Sequence, residues 1–417
     1  MNALRRVLSR AGLITAAGAL ALLGMVNAHA TGQPQTLQNL QGGLLGHDTK
    51  ILTPRGVTVH AASFTRKGPS TFIYLDLGLN YDDEIDVFLS NGNGVSEIQK
   101  YTNYTIAQQS SYFGASTLHY FPADGVHTTA CLVVADQANG RKPAILSFRL
   151  GKDGKLAKRP ASTVIDPLGG WGSGGLPSDV QGYDDVAVVT ESPMFSTGGV
   201  ETFVLGAGCT LAAGTQIPNS TFRYYISSSV NGSGVIAEPD QANSQVDLYS
   251  TDLAGNLTYL GATSSQFRGL DSSAQNGSNL FTGDANGTIA LAQGGTVSGG
   301  TVTWDPTSPQ FDPAGSNNAS SWFDSVDGNY VNGEQAFGAP AGIGFYSGDS
   351  SFKFLSHAAT GDPYSYVVNF GQTGSTLWVN DGDSFIDACL LTSGGSSGCT
   401  TVAQATTGGF FPGMAVS

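Results

Sequence analysis

The sequence has 417 residues, with 18 Lys or Arg against 32 Asp or Glu, so its formal net charge is −14. Binding to nucleic acid or anionic lipid needs clustered basic residues to neutralise phosphate, and this charge balance excludes it as a general role. The 57 glycines and the 12% of charged residues indicate a turn-rich β protein rather than a helical one.

Residues 1–30 have the pattern of an export signal. A basic start (Arg5, Arg6, Arg10) precedes an apolar stretch over 11–26 and the cleavage motif Ala28-His29-Ala30. The apolar stretch is short for a membrane span, although an uncleaved anchor is the alternative. We therefore expect a periplasmic or secreted protein with no membrane span after signal cleavage.

Residues 31–57 form a polar lead-in segment, and residues 58–417 carry an internal repeat. Each copy has a short apolar strand, an acidic residue, a polar turn and an alternating strand, and two copies then have a Gly-x-Leu turn. The clearest copy is Cys131 to Leu156. Its tetrapeptide Asp-Gln-Ala-Asn at 136–139 recurs at 240–243 in another copy.

The spacing of the copies predicts the fold. Copies start near 72, 130, 185, 232, 278 and 364, with a blurred copy around 322–357. This spacing fits a four-stranded blade with its loops. We therefore predict an all-β fold, a single seven-bladed β-propeller with four-stranded antiparallel blades. Residues 57–60 and the strands after Thr400 are candidates for closing the ring.

Two stretches carry a resemblance to a known family. Phe121 to Leu156 (FPADGVHTTACLVVADQANGRKPAILSFRLGKDGKL) and Tyr366 to Val379 (YVVNFGQTGSTLWV) resemble the lactonase-like, YVTN-repeat seven-bladed propellers. The resemblance implies a seven-bladed ring. It also implies kinship with phosphogluconolactonases and muconate-cycloisomerase-like enzymes, and with many members that have no established chemistry.

Acidic residues follow the first apolar run of five copies. Equivalent positions in a propeller have equal height around the axis, so these acids predict an acidic rim where the innermost strands end at the central channel. Such a rim would bind a small molecule, a sugar, a protein ligand or a cation. The alternative is that each acid only caps its own turn. The acids are Asp76, Asp136, Glu191, Glu238 with Asp240, and Asp284.

The sequence leaves open whether the protein is an enzyme. We predict a monomeric binding or interaction module that binds its ligand at the acidic mouth and does not bind nucleic acid. The alternative is a lactonase-like hydrolase or isomerase on a small sugar-acid or muconate-type lactone. It would use Glu191 or Glu238 as base and Arg268 or His119 to hold the substrate carboxylate. Trp171, in a Gly-rich loop, is a candidate platform for a sugar.

The cysteines and oxygen-rich loops give three further expectations. Cys389 and Cys399 flank a Gly/Ser turn and predict a disulfide, whereas the pairing of Cys131 with Cys209 stays open. The histidines have no zinc-motif spacing, so no metal or other cofactor is expected. Calcium is a weaker alternative, in the loops 324–329 and 381–383.

Overall fold

A computed structural model gives the structure of most of the chain beyond residue 45. It describes residues 46–52, 58–63, 70–77, 84–91, 94–102, 117–125, 127–136, 143–168, 176–192, 198–221, 223, 225, 227–265, 270–284, 290–308, 310–312, 318–334, 342–349, 351–360, 369–380, 385–396, 398–404 and 413–417. For residues 46–63, 77, 176, 192, 271, 284, 290, 310, 311, 318, 319 and 413 it describes the backbone alone. The predicted signal 1–30, Trp171 and Arg268 lie outside the described residues.

Short apolar runs between Gly- and Asx-rich turns form antiparallel strands, and four strands make each of seven blades. The predicted seven-bladed propeller is confirmed. Blade I contains β3 (Thr71–Leu77), β4 (Glu84–Asn91), β5 (Gly94–Tyr101) and β31 (Gly413–Val416). Blade II contains β6 (Thr117–Phe121), β7 (Cys131–Asp136), β8 (Ala144–Arg149) and β9 (Ser162–Ile165). Blade III contains β10 (Leu176–Tyr183), β11 (Val186–Ser192), β12 (Gly199–Gly206) and β13 (Thr210–Pro218). Blade IV contains β14 (Ser229–Val230), β15 (Val235–Asp240), β16 (Gln245–Thr251) and β17 (Leu257–Ser264).

The remaining three blades follow the same pattern. Blade V contains β18 (Leu270–Asn276), β19 (Asn279–Asp284), β20 (Ala290–Ser298) and β21 (Thr301–Trp304), and β22 (Gln310–Asp312) also pairs with β20. Blade VI contains β23 (Asn318–Phe323), β24 (Tyr330–Glu334), β25 (Gly342–Tyr346) and β26 (Phe354–Ala359). Blade VII contains β27 (Asn369–Thr373), β28 (Thr376–Asn380), β29 (Phe385–Leu390) and β30 (Cys399–Gln404).

The innermost strands close the ring. Strands β31, β6, β10, β14, β18, β23 and β27 each contact the next, and β27 contacts β31 again. The last strand of the chain lies in the first blade, with Val416 opposite Ile73. Of the two closure candidates, the strands after Thr400 therefore supply β31. Residues 58–60 belong to β2 (Thr58–Ser63), which pairs with β1 (Gly46–Leu52) in a separate two-stranded sheet.

Burial explains the sequence pattern of the blades. The second strand of a blade lies between its neighbours in the sheet and the faces of two adjacent blades, so β7 (CLVVAD) is buried at every residue. Outer strands have one solvent face, and β13 alternates accordingly. The core lies between blades, where Tyr74 of blade I packs with Leu132 of blade II. Each such side chain contributes roughly 1.5–3 kcal/mol on burial.

Two disulfides fix the ring at separate places. The predicted Cys389–Cys399 bridge is confirmed and links β29 to β30 within blade VII. Cys131, on β7, is bonded to Cys209, in a 3-10 turn at Ala207–Cys209 that follows β12. This second bridge, which the sequence left open, joins blades II and III. No helix in the described part of the chain is long and apolar enough to cross a membrane.

Candidate functional site

The predicted acids lie on the second strand of each blade, not on the innermost strand that the sequence analysis assumed. Because all second strands run in the same direction, their last residues lie on one face of the propeller. Glu334 of blade VI is at the equivalent position, the end of a second strand. The backbone of Asp284 in blade V is at this position as well. We call this set the acid layer; its members with described side chains are Asp76, Asp136, Glu191, Glu238, Asp240 and Glu334. All six are fully buried, so they form a layer inside the blades and not an open rim.

Burying a carboxylate costs several kcal/mol unless a cation, a donor or a proton compensates it. In blade I the compensation comes from Lys100 on β5. Its Nζ lies 2.5 Å from Glu84 Oε1 and 3.8 Å from Asp86 Oδ1. Burial and then the charge of Glu84 still raise the pKa of Asp86 to about 8. The chain thus supplies one positive charge to this pocket.

Blade IV uses an arginine for the same purpose. Arg223 Nη1 lies 2.9 Å from Asp240 Oδ2, and its Nε lies 3.5 Å from Asp247 Oδ2. The Tyr225 hydroxyl also donates to Asp247, at 2.8 Å. Blade VI places His357 Nδ1 at 2.7 Å from Asp312 Oδ2 on β22. Three pockets of the acid layer therefore contain a basic side chain of this protein.

Blade III differs, because its pocket combines three acids. Asp166, Glu191 and Glu201 each bring a carboxylate oxygen within 4.8 Å of the others. All three are buried, with at most 1% of the side chain exposed. The Leu168 N–H donates to Asp166 at 2.8 Å, but within the described structure neither Glu191 nor Glu201 accepts a hydrogen bond of normal geometry or forms an ion pair.

In the described part of the chain these two glutamates have no basic side chain as a partner. Burial, then the charge of Asp166, raises the pKa of Glu201 to about 10, and the Leu168 amide opposes this shift weakly. Burial and the charges of Asp166 and Glu201 raise the pKa of Glu191 well above its usual range. Burial in this pocket therefore favours the protonated forms of Glu191 and Glu201.

A second polar feature lies further in, on the innermost strands. Asp179 of β10 accepts hydrogen bonds from the Ser228 N–H at 2.7 Å and the Ser228 hydroxyl at 2.9 Å. The Thr190 hydroxyl lies 3.3 Å from Ser228 Oγ and donates to Glu238 Oε1 at 2.9 Å. These polar contacts extend from Glu238 of the acid layer to the innermost strands. Sequence reasoning missed Asp179, although it lies in the polar stretch just before a repeat copy, where each innermost strand runs.

The surroundings of three residues bear on their predicted catalytic roles, which stay predictions. Burial raises the pKa of Glu191 and of Glu238 well above the usual range, which disfavours the carboxylate form that a base needs. Burial lowers the pKa of His119 to about 4, and its ring packs on Phe121 with centroids 4.9 Å apart. A neutral imidazole cannot hold a substrate carboxylate by charge.

Of the calcium candidates, the loop 324–329 has a local explanation. The Asp324 carboxylate accepts hydrogen bonds from the N–H groups of Val326 at 2.9 Å and Asp327 at 3.3 Å, which is an Asx turn. Gln372 donates to the same carboxylate at 2.5 Å. Residues 381–383 lie outside the described part of the chain.

Solved structures with similar folds include several lactonase-like propellers. A periplasmic gluconolactonase of Pseudomonas aeruginosa aligns over 82% of this chain and 98% of its own, with a TM-score of 0.58 and 13% identity. A provisionally assigned 6-phosphogluconolactonase from Bacteroides fragilis aligns over 85% and 99%, with a TM-score of 0.60 and 13% identity. A protein from Lactobacillus plantarum aligns over 84% and 99%, with a TM-score of 0.63 and 12% identity.

The fold is that of the lactonase-like seven-bladed propellers. The resemblance stated from the sequence is thereby confirmed at the level of the fold. No family model matches the sequence, and no curated protein does so either. At 12–13% identity the likeness carries the architecture and not the activity.

Proposed function

We propose that the protein is an exported binding propeller, and that the pocket of Asp166, Glu191 and Glu201 binds the positively charged part of its ligand. One observation carries the proposal. Glu191 and Glu201 are buried side by side with no cation of the described chain between them, whereas Lys100 and Arg223 occupy the corresponding pockets of blades I and IV.

The dimensions of the pocket favour a small cation. Calcium binds carboxylate oxygens at about 2.3–2.6 Å, so oxygens on opposite sides of one ion are about 5 Å apart. The three carboxylates lie within 4.8 Å of one another. A single calcium ion therefore fits this arrangement, and a ligand ammonium group is the alternative of similar size.

The rest of the molecule supports an exported, cation-binding role. The net charge of −14 attracts cations over a distance and raises their concentration near the surface. Two disulfides are typical of an oxidising compartment, which agrees with the predicted signal at residues 1–30.

The proposal is tested by calorimetric titration of the mature protein with calcium chloride and, separately, with a short Arg-rich peptide. We expect one of the two probes to bind. Glu191→Gln and Glu201→Gln should each weaken that binding at least tenfold. Asp153→Asn, which removes one charge from an exposed hairpin, is the matched control and should bind like wild type. Binding that is equal in all four proteins would refute the proposed site.

A second candidate function, lactone hydrolysis, rests on a different observation. The polar contacts Glu238–Thr190–Ser228–Asp179 extend from a buried carboxyl with a raised pKa to the innermost strand β10, and proteins of the same fold include a gluconolactonase. A protonated glutamate could donate a proton to the departing ring oxygen of a lactone. Gluconolactone and muconolactone turnover that Glu238→Gln abolishes and Glu201→Gln leaves intact would support this candidate over the binding module.

A further inference from the structure

A second group of possible metal ligands lies where blade V meets blade VI, and it combines side chains from three strands. Asp312 comes from β22, Glu334 from the end of β24 and His357 from β26. The His357 Nδ1 lies 2.7 Å from Asp312 Oδ2 and 3.6 Å from Glu334 Oε2. Both carboxylates are fully buried and 18% of the histidine side chain is exposed, so an ion would have access from the histidine side.

Two glycines leave space around these ligands. A Cβ atom on Gly342 would lie 2.2 Å from the His357 ring, so only glycine lets the imidazole lie flat on β25. A Cβ atom on Gly344 would lie 3.1 Å from Asp312 Oδ2 and 3.2 Å from the Tyr346 hydroxyl oxygen. The Asp312 carboxylate and the Tyr346 ring and hydroxyl therefore come together closely over the Cα of Gly344.

The Tyr346 hydroxyl is the independent sign of a ligand. Tyr346 is fully buried, and its hydroxyl has no hydrogen-bond partner within the described structure. The same Cβ position on Gly344 lies 3.2 Å from this hydroxyl oxygen and 3.1 Å from Asp312 Oδ2, so the hydroxyl is near the Asp312 carboxylate. A buried hydroxyl without a partner destabilises the folded state, and a bound ion or its water would supply the missing partner.

The donor set and distances fit zinc better than calcium. Zinc binds imidazole nitrogen and carboxylate oxygen at about 2.0–2.2 Å in a tetrahedral arrangement, which separates ligand atoms by about 3.3 Å. The observed separations of 2.7 and 3.6 Å lie on either side of that value. Calcium prefers oxygen ligands only. A protonated His357 would bring one positive charge to the two carboxylates. A zinc ion bound to a neutral His357 would bring two positive charges and so balance both.

We propose that Asp312, Glu334 and His357 bind a zinc-class divalent ion, with the Tyr346 hydroxyl beside the fourth position, and that this ion ties blade V to blade VI. The site has no residue in common with the pocket of Glu191 and Glu201, so it does not depend on the proposed function. Its ligands come from separate strands, which is why no zinc motif marks them in the sequence.

The test is zinc titration of the chelator-treated mature protein against a chromophoric zinc chelator, with the melting temperature recorded with and without zinc. We expect one zinc per chain and a higher melting temperature in its presence. His357→Ala and Glu334→Gln should weaken zinc binding more than about tenfold. Gly344→Ala, whose methyl group would press on the Asp312 carboxylate and Tyr346, should weaken it as well.

His119→Ala and His127→Ala are the matched histidine controls and should bind zinc like wild type. His127 is the sharper control, because its Nδ1 also lies 3.2 Å from each of two aspartates, Asp124 and Asp185. Zinc binding that His127→Ala abolishes and His357→Ala preserves would overturn the proposal, and so would a wild-type protein that binds no zinc. If His357 serves only as an ion-pair partner, His357→Ala will lower the melting temperature and zinc will change neither protein.

Discussion

Glu191 and Glu201 lie diagonally across the β11–β12 pair and point to the same face. Glu201 is opposite Val189, which is two residues before Glu191 on β11, and Glu191 is opposite Gly199. Diagonal neighbours on one face are close enough for long side chains to meet. The strand register itself therefore forces two buried carboxyl groups together. The pH dependence of stability and the release of protons on cation binding both follow from that pair.

The stability of the cation-free protein should fall as the pH rises. Burial raises the pKa of Glu201 from 4.5 to about 10 and that of Asp86 from 3.8 to about 8. Between the unfolded and folded pKa values the folded state binds more protons, so each unit of pH costs up to about 1.4 kcal/mol per group. Melting temperatures measured from pH 5 to pH 9 in chelator should decrease. Glu201→Gln should make the melting temperature less dependent on pH. A pH dependence equal to that of wild type would contradict the titration assigned to Glu201.

Binding of a cation to the same pocket should release protons. Glu191 and Glu201 must lose their protons to bind calcium, so the affinity should rise with pH, by about tenfold per pH unit for each proton released. Calorimetry in two buffers of different ionisation enthalpy measures the number of protons. An affinity independent of pH from 6 to 9 would place the ion elsewhere.

Removal of Arg223 should destabilise blade IV. Arg223→Ala would leave Asp240 and Asp247 buried without their cation, and breaking a buried pair typically costs about 3–5 kcal/mol. The matched control is Arg149→Ala, because Arg149 is exposed and donates a hydrogen bond to the Gly208 carbonyl at 2.7 Å. Urea unfolding compares the two. Equal losses in the two variants would show that Arg223 is not the compensating charge.

The Cys131–Cys209 bridge should matter more than the Cys389–Cys399 bridge. The first bridge closes a loop of 78 residues and the second a loop of 10. If a disulfide stabilises by restricting the unfolded chain, the first should contribute about 4–5 kcal/mol and the second about 3 kcal/mol. Cys131→Ala with Cys209→Ala should therefore lower the unfolding midpoint more than Cys389→Ala with Cys399→Ala. The reverse order would indicate that blades II and III are held together by packing alone.

The sequence predicted the architecture because the repeat is local. An apolar second strand, an acid at its end and an Asx turn recur at blade spacing, so the number of blades, their four strands and the Cys389–Cys399 bridge could be read from it. The position of the acids within the blade was misjudged, since the innermost strands, such as β14, are short and polar and resemble loops. The buried second strand has the more conspicuous apolar pattern, so the sequence pattern alone points to it as the inner strand.

The chemistry of the site could not be read in the same way. Whether an acid such as Asp240 has a cation beside it depends on Arg223, which is 17 residues away in the chain and is not part of the repeat. Asp166 reaches blade III from the loop after blade II, and Asp312 reaches blade VI from the strand that follows blade V. These contacts depend on packing between blades, which the spacing of the sequence repeats does not reveal. Trp171 and Arg268 remain predictions.

Titration of the blade III pocket with cationic probes tests the central claim most directly. Wild type, the double variant Glu191→Gln with Glu201→Gln, and the control Asp153→Asn are each titrated at pH 8. The two probes are calcium and the Arg-rich peptide. The account predicts one bound cationic probe for wild type and for Asp153→Asn, and binding at least a hundredfold weaker for the double variant. Unchanged binding in the double variant, or no binding of either probe to wild type, would contradict it.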